Sequence, residues 1–335
     1  MTAPPVGAYL LDADAHKWIY GTDQQGAIAR LCRVHPRVFS RADVTRHAEE
    51  LRDVEFIFSG WGAPVMDDAF LELVPNLKVV FYGAGTVAGF VTNALVRRGV
   101  RVTSAASGNA VPVADYTVAA IYFSLKNVWT VVRGQAFPDV ESLAGGYEST
   151  VGLVALGAVG RLVCQRLRSS DLSVVAFDPF VSASEAGDLG VRLLDLAELF
   201  ACSDVVSLHV PLNASTRGLI GSQLLASMKA GATLINTSRG AVVDPDALVE
   251  VLEQRLDLQA ILDVTDPEPL PMSHRLRALP NVVITPHIAG SLGRECHRLG
   301  DMMVEEFRRY LAGEALAWQV DLANLEQIAS QASQS

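Results

Sequence analysis

Short, nearly unbroken apolar runs recur along the chain. Between them lie stretches whose apolar residues return every three or four positions. In the first hundred residues the runs fall at 8–11, 54–58, 78–82 and 100–104, and helical spacing falls at 66–73 and 90–97. Asp67 and Asp68 open the first of these helices, where negative charge suits the helix dipole. A strand covered on both faces has no solvent side to make polar. Apolar runs alternating with helices therefore predict a parallel sheet between two helical layers.

The region 109–132 reads as one long apolar helix, and 133–150, with Pro138 and Gly145–Gly146, reads as a loop. A second alternation follows, with strands expected at 151–155, 173–178, 205–209, 232–236, 258–263 and 282–285. Helices are expected at 159–169, 195–202, 222–228 and 245–254, the last capped by Asp244 with Pro245 at its first position. Six strands in this order predict a doubly wound α/β sheet. Beyond Gly290 an amphipathic helix runs to about Leu311, and the remaining residues are weakly patterned.

Composition narrows the classes. A length of 335 residues predicts about two domains. With 50% hydrophobic and 19% charged residues the chain is not of the disordered type. The net charge is −10 and no segment is rich in Lys or Arg, which argues against a nucleic-acid partner. Apolar runs such as 117–125 are too short for a membrane span, and the first seventeen residues lack the basic start of a signal peptide. Cys32, Cys164, Cys202 and Cys296 are scattered, as are the seven His, so no metal-ligand spacing is written. The expectation is a reduced, cytoplasmic chain without a structural metal.

The sharpest local signal is V151-G-L-V-A-L-G-A-V-G-R161, an apolar strand running through a glycine turn into a helix. Such a turn lets backbone approach a pyrophosphate at a helix N-terminus. Asp178 ends the next strand 21 residues beyond Gly157, the distance at which a carboxylate meets the ribose hydroxyls. That charge favours NAD over NADP. The first fingerprint glycine is replaced by Ala155, and taken alone the turn suits ligand-free packing equally well. Gly152 and Gly157 are also spaced like P-loop glycines, but no Lys-Ser/Thr follows. Three later strands end in polar residues: Arg239, Asp263 with Glu268 in D-P-E-P, and His287. Singly these read as a surface cation, acids of an exposed turn and a half-buried histidine. Together, at successive strand ends of a doubly wound sheet, they line the ligand crevice.

These segments carry a resemblance. H209-V-P-L-N-A-S-T-R-G-L-I-G221, M228-K-A-G-A-T-L-I-N-T-S-R-G-A-V-V-D-P-D-A-L248, D263-V-T-D-P-E-P-L270 and N281-V-V-I-T-P-H-I-A-G290 resemble, in order, the signatures of the D-isomer-specific 2-hydroxyacid dehydrogenases. The resemblance implies a catalytic set of Arg239, Glu268 and His287. His287 would donate a proton to a 2-oxo acid as hydride arrives from NADH, Glu268 would hold it, and Arg239 would bind and polarise the substrate. It implies cofactor contacts from Leu156, Gly157, Ala158, Val159, Asp178, His209, Val210, Pro211, Thr216, Thr237, Ser238, Arg239, Asp263, His287 and Gly290. Asp263 would meet the nicotinamide carboxamide. Backbone amides at Ala84 and Gly85 would hold the substrate carboxylate, with Trp61 beside it.

The implied architecture is a Rossmann-type NAD domain, residues 108–291, inserted into a smaller flavodoxin-like substrate domain made of 1–107 plus 292–335. Helices near Asn109 and Ser291 would be its hinges. A homodimer through the NAD domain is implied, with the helix 113–132 and the arm after it as its surface. The departures are Ala155, the T-V-A-G-F stretch after Gly85, Asp115 where Glu is common, and Trp61 and Tyr82 near the implied pocket. Both aromatics also suit a domain core. Two neighbouring readings share the fold: a non-catalytic NAD(H)-sensing scaffold resembling the co-repressors, and a formate dehydrogenase. The latter carries Gln where Pro286 precedes His287. The side chain of the substrate is not written in these motifs.

Overall fold

The computed structural model describes residues 4–134, 140 and 143–322. The chain divides into two compact units, Met1–Asn109 with Ser291–Ser335, and Ala110–Gly290. None of the described helices is long and apolar enough to cross a membrane.

The first unit opens β1 (Val6–Leu10), α1 (Ala13–Ile19), α2 (Thr22–Ala29), β2 (Arg33–Phe39), α3 (Asp43–Arg46), α4 (Ala48–Leu51), β3 (Phe56–Ser59). It continues α5 (Asp68–Leu73), β4 (Val79–Tyr82), α6 (Asn93–Arg98) and β5 (Arg101–Ser104). Its sheet is parallel in the order β2-β1-β3-β4-β5, the flavodoxin-like winding. The four apolar runs expected here become β1, β3, β4 and β5, each within two residues at either end. The edge strand β2 was not expected. It is largely exposed, contains Pro36 and pairs only with β1, so it needs neither an apolar run nor a full ladder of N–H donors. The residue pattern does not mark the first two helices either; α2 is polar enough to lack a clear apolar stripe. Asp67 caps α5 by accepting the Phe70 N–H at 2.9 Å.

The second unit shares α7 (Ala106–Leu125), which begins in the first unit, and goes on with α8 (Val128–Val132), β6 (Thr150–Val154), α9 (Ala158–Leu167), β7 (Ser173–Phe177), α10 (Ala183–Asp188), β8 (Arg192–Leu193). It continues α11 (Leu196–Cys202), β9 (Val205–Leu208), α12 (Ser222–Ser227), β10 (Thr233–Asn236), α13 (Pro245–Gln254), β11 (Gln259–Leu262) and β12 (Val282–Ile284). Its seven-stranded parallel sheet has the order β12-β11-β10-β9-β6-β7-β8. The winding reverses between β6 and β9, the Rossmann-type switch point. Six strands were expected; the seventh, two-residue β8, is a short exposed edge. Asp244 caps α13 with Pro245 at its first turn, as its sequence predicts.

The single helix expected over 109–132 is interrupted. Asn127 adopts a left-handed conformation, φ 53°, which Asn tolerates better than most residues. Its side chain accepts from Thr130 Oγ1 at 2.5 Å and from the Gln259 amide, so a partner on β11 sets the break.

The last helix, α14 (Glu295–Ala312), belongs to the first unit. It buries Cys296, Leu299, Met303 and Phe307 at helical spacing, and Phe307 packs 5.1 Å from Phe58 and 5.4 Å from Phe81. On the same helix Glu306 is fully buried. Its carboxylate accepts the N–H groups of Ala317 (2.9 Å) and Trp318 (3.1 Å). That anchors a segment whose Trp318 carbonyl accepts from Ser104 N–H (3.0 Å) and whose Val320 N–H bonds to Val102 (2.8 Å), extending the sheet past β5. The weak pattern there reflects a role carried by backbone. Glu306→Ala leaves two N–H groups without their acceptor and should destabilise the protein by about 3 kcal/mol, read by denaturant unfolding.

Candidate active site

In-register pairing brings the polar residues together. Asn236 pairs with Leu262, and Leu262 with Ile284, so β10, β11 and β12 end at one level. Beyond β10, the buried Asn236 accepts from the N–H (3.0 Å) and hydroxyl (2.8 Å) of Ser238 and donates to the Arg239 carbonyl (2.9 Å). This tight turn aims Arg239. Its guanidinium donates to the Ser238 carbonyl at 2.6 Å and has no other hydrogen-bond partner among the described residues. Burial lowers its pKa, with the nearby Glu268 charge acting in the opposite sense. It remains a cation with free donors. Gly240 follows because a Cβ there would lie 2.0 Å from the Thr265 backbone carbon. Any side chain would push the Arg239 turn off the loop that carries Glu268.

His287 Nδ1 lies 2.6 Å from Glu268 Oε1. The hydrogen bond to Glu268, opposed by desolvation, raises the imidazole pKa. The Glu268 and Asp263 charges add to the rise and Arg239 opposes it. The ring is half-exposed, and with Nδ1 held by Glu268 its Nε2 is the remaining donor once protonated. The residue stands at φ 54°, held by its N–H to the Asp263 (2.9 Å) and Thr285 (3.0 Å) carbonyls.

Asp263 is 2% exposed. Its Oδ1 accepts from Thr285 Oγ1 (2.6 Å) and Ile288 N–H (2.8 Å), and its Oδ2 from Ala289 N–H (2.9 Å). The carboxylate thus organises the turn that carries His287. Nothing in the sequence distinguished Thr285 as a member of this arrangement.

At the β6–α9 turn, Ala155 occupies the first fingerprint position at φ 76°, the conformation glycine adopts freely. Its carbonyl lies 2.3 Å from where a Cβ on Gly160 would stand, so the third glycine is required by packing. Gly157, the cap of α9, has open space beside it, and α9 has no side-chain cap. Leu156 N–H is spent on Asp178 Oδ2 (2.7 Å), and Phe180 N–H donates to Oδ1 (2.8 Å). Each oxygen keeps a lone pair for a ribose hydroxyl. The Gly157–Val159 turn therefore offers the open N–H groups, and these residues fit a dinucleotide.

Across the switch point, His209 lies 3.1 Å from Ser207 Oγ, and burial lowers its pKa to about 4, so it stays neutral. Val210 is buried and Pro211 exposed, and Thr216 closes their loop by donating to the Pro211 carbonyl at 2.6 Å. Thr237 Oγ1 meets Thr117 Oγ1 at 3.2 Å, and Gly290 is half-buried after the His287 turn.

In the first unit, the N–H groups of Ala84 and Gly85 have no partner among the described residues. Their carbonyls accept from Ser104 Oγ at 3.1 and 2.5 Å. Trp61 is half-buried, packed on both core clusters of this unit, and its carbonyl accepts from Asp12 N–H at 3.0 Å. Tyr82 is 7% exposed and packs on Phe90 within the core.

A Rossmann sheet with this glycine turn, a carboxylate after the second strand and an Arg, Glu and His at its later strand ends defines a nicotinamide-dinucleotide domain. The family model described as D-isomer specific 2-hydroxyacid dehydrogenase, NAD binding domain, matches residues 118–289, and the chain belongs to that family. It is 32% identical over 269 residues to the D-3-phosphoglycerate dehydrogenase of Archaeoglobus fulgidus, covering 78% of this chain and 50% of that one. It is 34% identical over 262 residues to the (S)-sulfolactate dehydrogenase of Chromohalobacter salexigens, covering 75% and 82%. The crystal structure of the TT0316 protein from Thermus thermophilus superposes with a TM-score of 0.75 at 29% identity, covering 94% of this chain and 100% of that one. The chain spans about half the length of the D-3-phosphoglycerate dehydrogenases it matches.

Two outcomes are expected. Ala155→Gly should raise stability by about 1 kcal/mol in denaturant unfolding, because it removes the cost of a left-handed Cβ. Glu268→Gln should lower the His287 pKa, which an NMR titration of the imidazole follows.

Proposed function

We propose that the chain is an NAD(H)-dependent reductase of a small 2-oxo acid, yielding the D-2-hydroxy acid, and that it also runs the reverse reaction. The observation that carries this is the Arg239–Glu268–His287 set, whose raised imidazole pKa suits a proton donor at neutral pH. When bound, NADH supplies the hydride to the carbonyl carbon. Arg239 directs free guanidinium donors at the substrate, stabilising charge that develops on the carbonyl oxygen. His287 gives that oxygen its proton from Nε2, and the positive charge lost from the ring had been stabilised by Glu268 at Nδ1. In reverse, neutral His287 takes the hydroxyl proton. Reduction therefore declines as pH rises through the raised His287 pKa, and oxidation rises through the same value.

Asp178 supports NADH over NADPH, since a 2′-phosphate would meet its carboxylate. We assign substrate binding to the first unit, where the Ala84 and Gly85 N–H groups suit a carboxylate, with Trp61 as a further substrate contact. The exposed apolar residues Tyr122, Phe123, Val131 and Val132 on α7 and α8 support a homodimer, which a one-chain mass in light scattering would exclude. No nucleic acid, membrane or metal enters this reading, and its setting is the cytoplasm.

Assaying NADH oxidation with a panel of 2-oxo acids tests the activity. At least one should turn over. His287→Ala should lower kcat by at least about 100-fold while NADH still binds. Undiminished turnover in that variant would refute the role of His287, and greater thermal stabilisation by NADPH than by NADH would refute that of Asp178.

A further inference from the structure

We propose that Tyr116 and Thr285 are positioning residues for His287, acting through a two-hydroxyl chain that ends on Asp263. The inference rests on the reading of His287 as the proton donor. Tyr116 stands on α7 and its hydroxyl lies 2.9 Å from Thr285 Oγ1. Thr285 Oγ1 lies in turn 2.6 Å from Asp263 Oδ1.

The direction of this chain follows from chemistry. A carboxylate oxygen only accepts, so the single Thr285 hydroxyl proton is committed to Asp263. The Tyr116–Thr285 contact must then be donated by tyrosine. Burial raises the Tyr116 pKa, which keeps the phenol protonated and able to donate. The order is Tyr116 O–H to Thr285 Oγ1, and Thr285 O–H to Asp263 Oδ1.

Asp263 is what holds the His287 turn. Its carbonyl accepts the His287 N–H, and its carboxylate accepts the next two N–H groups, from Ile288 and Ala289. These three bonds keep a non-glycine residue at φ 54°. A carboxylate can rotate about its Cβ–Cγ bond; the Thr285 hydroxyl supplies a fixed donor against that rotation, and Tyr116 fixes the hydroxyl from α7. The groups that set the charge environment of the imidazole are Glu268, Arg239 and Asp263. A loosened turn misaligns Nδ1 from Glu268 first, because that bond spans two loops.

The test combines kinetics over a pH series, using NADH and the 2-oxo acid turned over by the wild type, with NMR titration of His287 and NADH affinity by fluorescence. Thr285→Val should lower kcat by roughly 10- to 100-fold. It should also shift both the alkaline limb and the imidazole titration to lower pH, with NADH affinity within about 3-fold of wild type. Thr285→Ser keeps the hydroxyl and should restore both readouts. Tyr116→Phe should move them in the same direction by less. If Thr285→Val and Tyr116→Phe both titrate like the wild type, the proposal is overturned; so is it if Thr285→Ser fails to restore the titration. Should Thr285→Val not fold, an unshifted titration in Tyr116→Phe alone overturns it. A wild type inactive with every 2-oxo acid, but with the titration shifts intact, sinks the reductase reading and leaves the positioning chain standing.

Discussion

The in-register parallel pairing of β10, β11 and β12 is the constraint on which the site depends. Parallel strands all end at the same edge, so residues just past Asn236, Leu262 and Ile284 share one locality however far apart they lie in the chain. An antiparallel arrangement would send alternate strand ends to opposite edges. Arg239, Asp263, Glu268 and His287 therefore need no motif of their own to meet. They need only to follow the correct strands by a few residues, and the sheet does the rest.

At that edge the backbone leaves its ladder, and its polar groups require other partners. The turn after β12 finds them in one buried carboxylate. Burying Asp263 carries a desolvation cost, which the Thr285 hydroxyl and two backbone N–H groups offset. The left-handed backbone of His287, unfavourable for a residue with a Cβ, is offset by its own two N–H contacts. The local strain thus sits at His287 and the buried charge at Asp263, the residue that holds its turn. Glu268 raises the imidazole pKa and Arg239 opposes the rise, so the same carboxylate–imidazole contact that orders the ring also favours its protonated form.

The nucleotide turn shows the difference between a motif and its geometry. Ala155 departs from the glycine fingerprint, yet the backbone there still takes the left-handed conformation that the glycine would take. The turn tolerates a Cβ at 155 but not at Gly160, where the Ala155 carbonyl occupies the space. Motif matching by residue type weights these positions alike. Sterics do not.

The sequence alone determined what depends on patterning near each residue. Runs buried on both faces are apolar whatever lies around them, so four of the five strands of one sheet and six of the seven of the other were legible, along with the acidic helix start at Asp67 and the cap at Asp244. The order of the motifs also marked Arg239, Glu268, His287 and Asp178 as candidates. Tertiary structure decided what rests on distant or backbone partners. Edge strands β2 and β8 carry little apolar signal because they face solvent. The break at Asn127 depends on Gln259, and the seat of the 317–320 segment depends on Glu306. That the Asp263 carboxylate also holds the turn carrying His287 rests on N–H groups of Ile288 and Ala289, which no local pattern announces. Tyr116 and Thr285, 169 positions apart, meet only because α7 packs beside the sheet, and hydrogen bonds across such separations leave no period in a sequence.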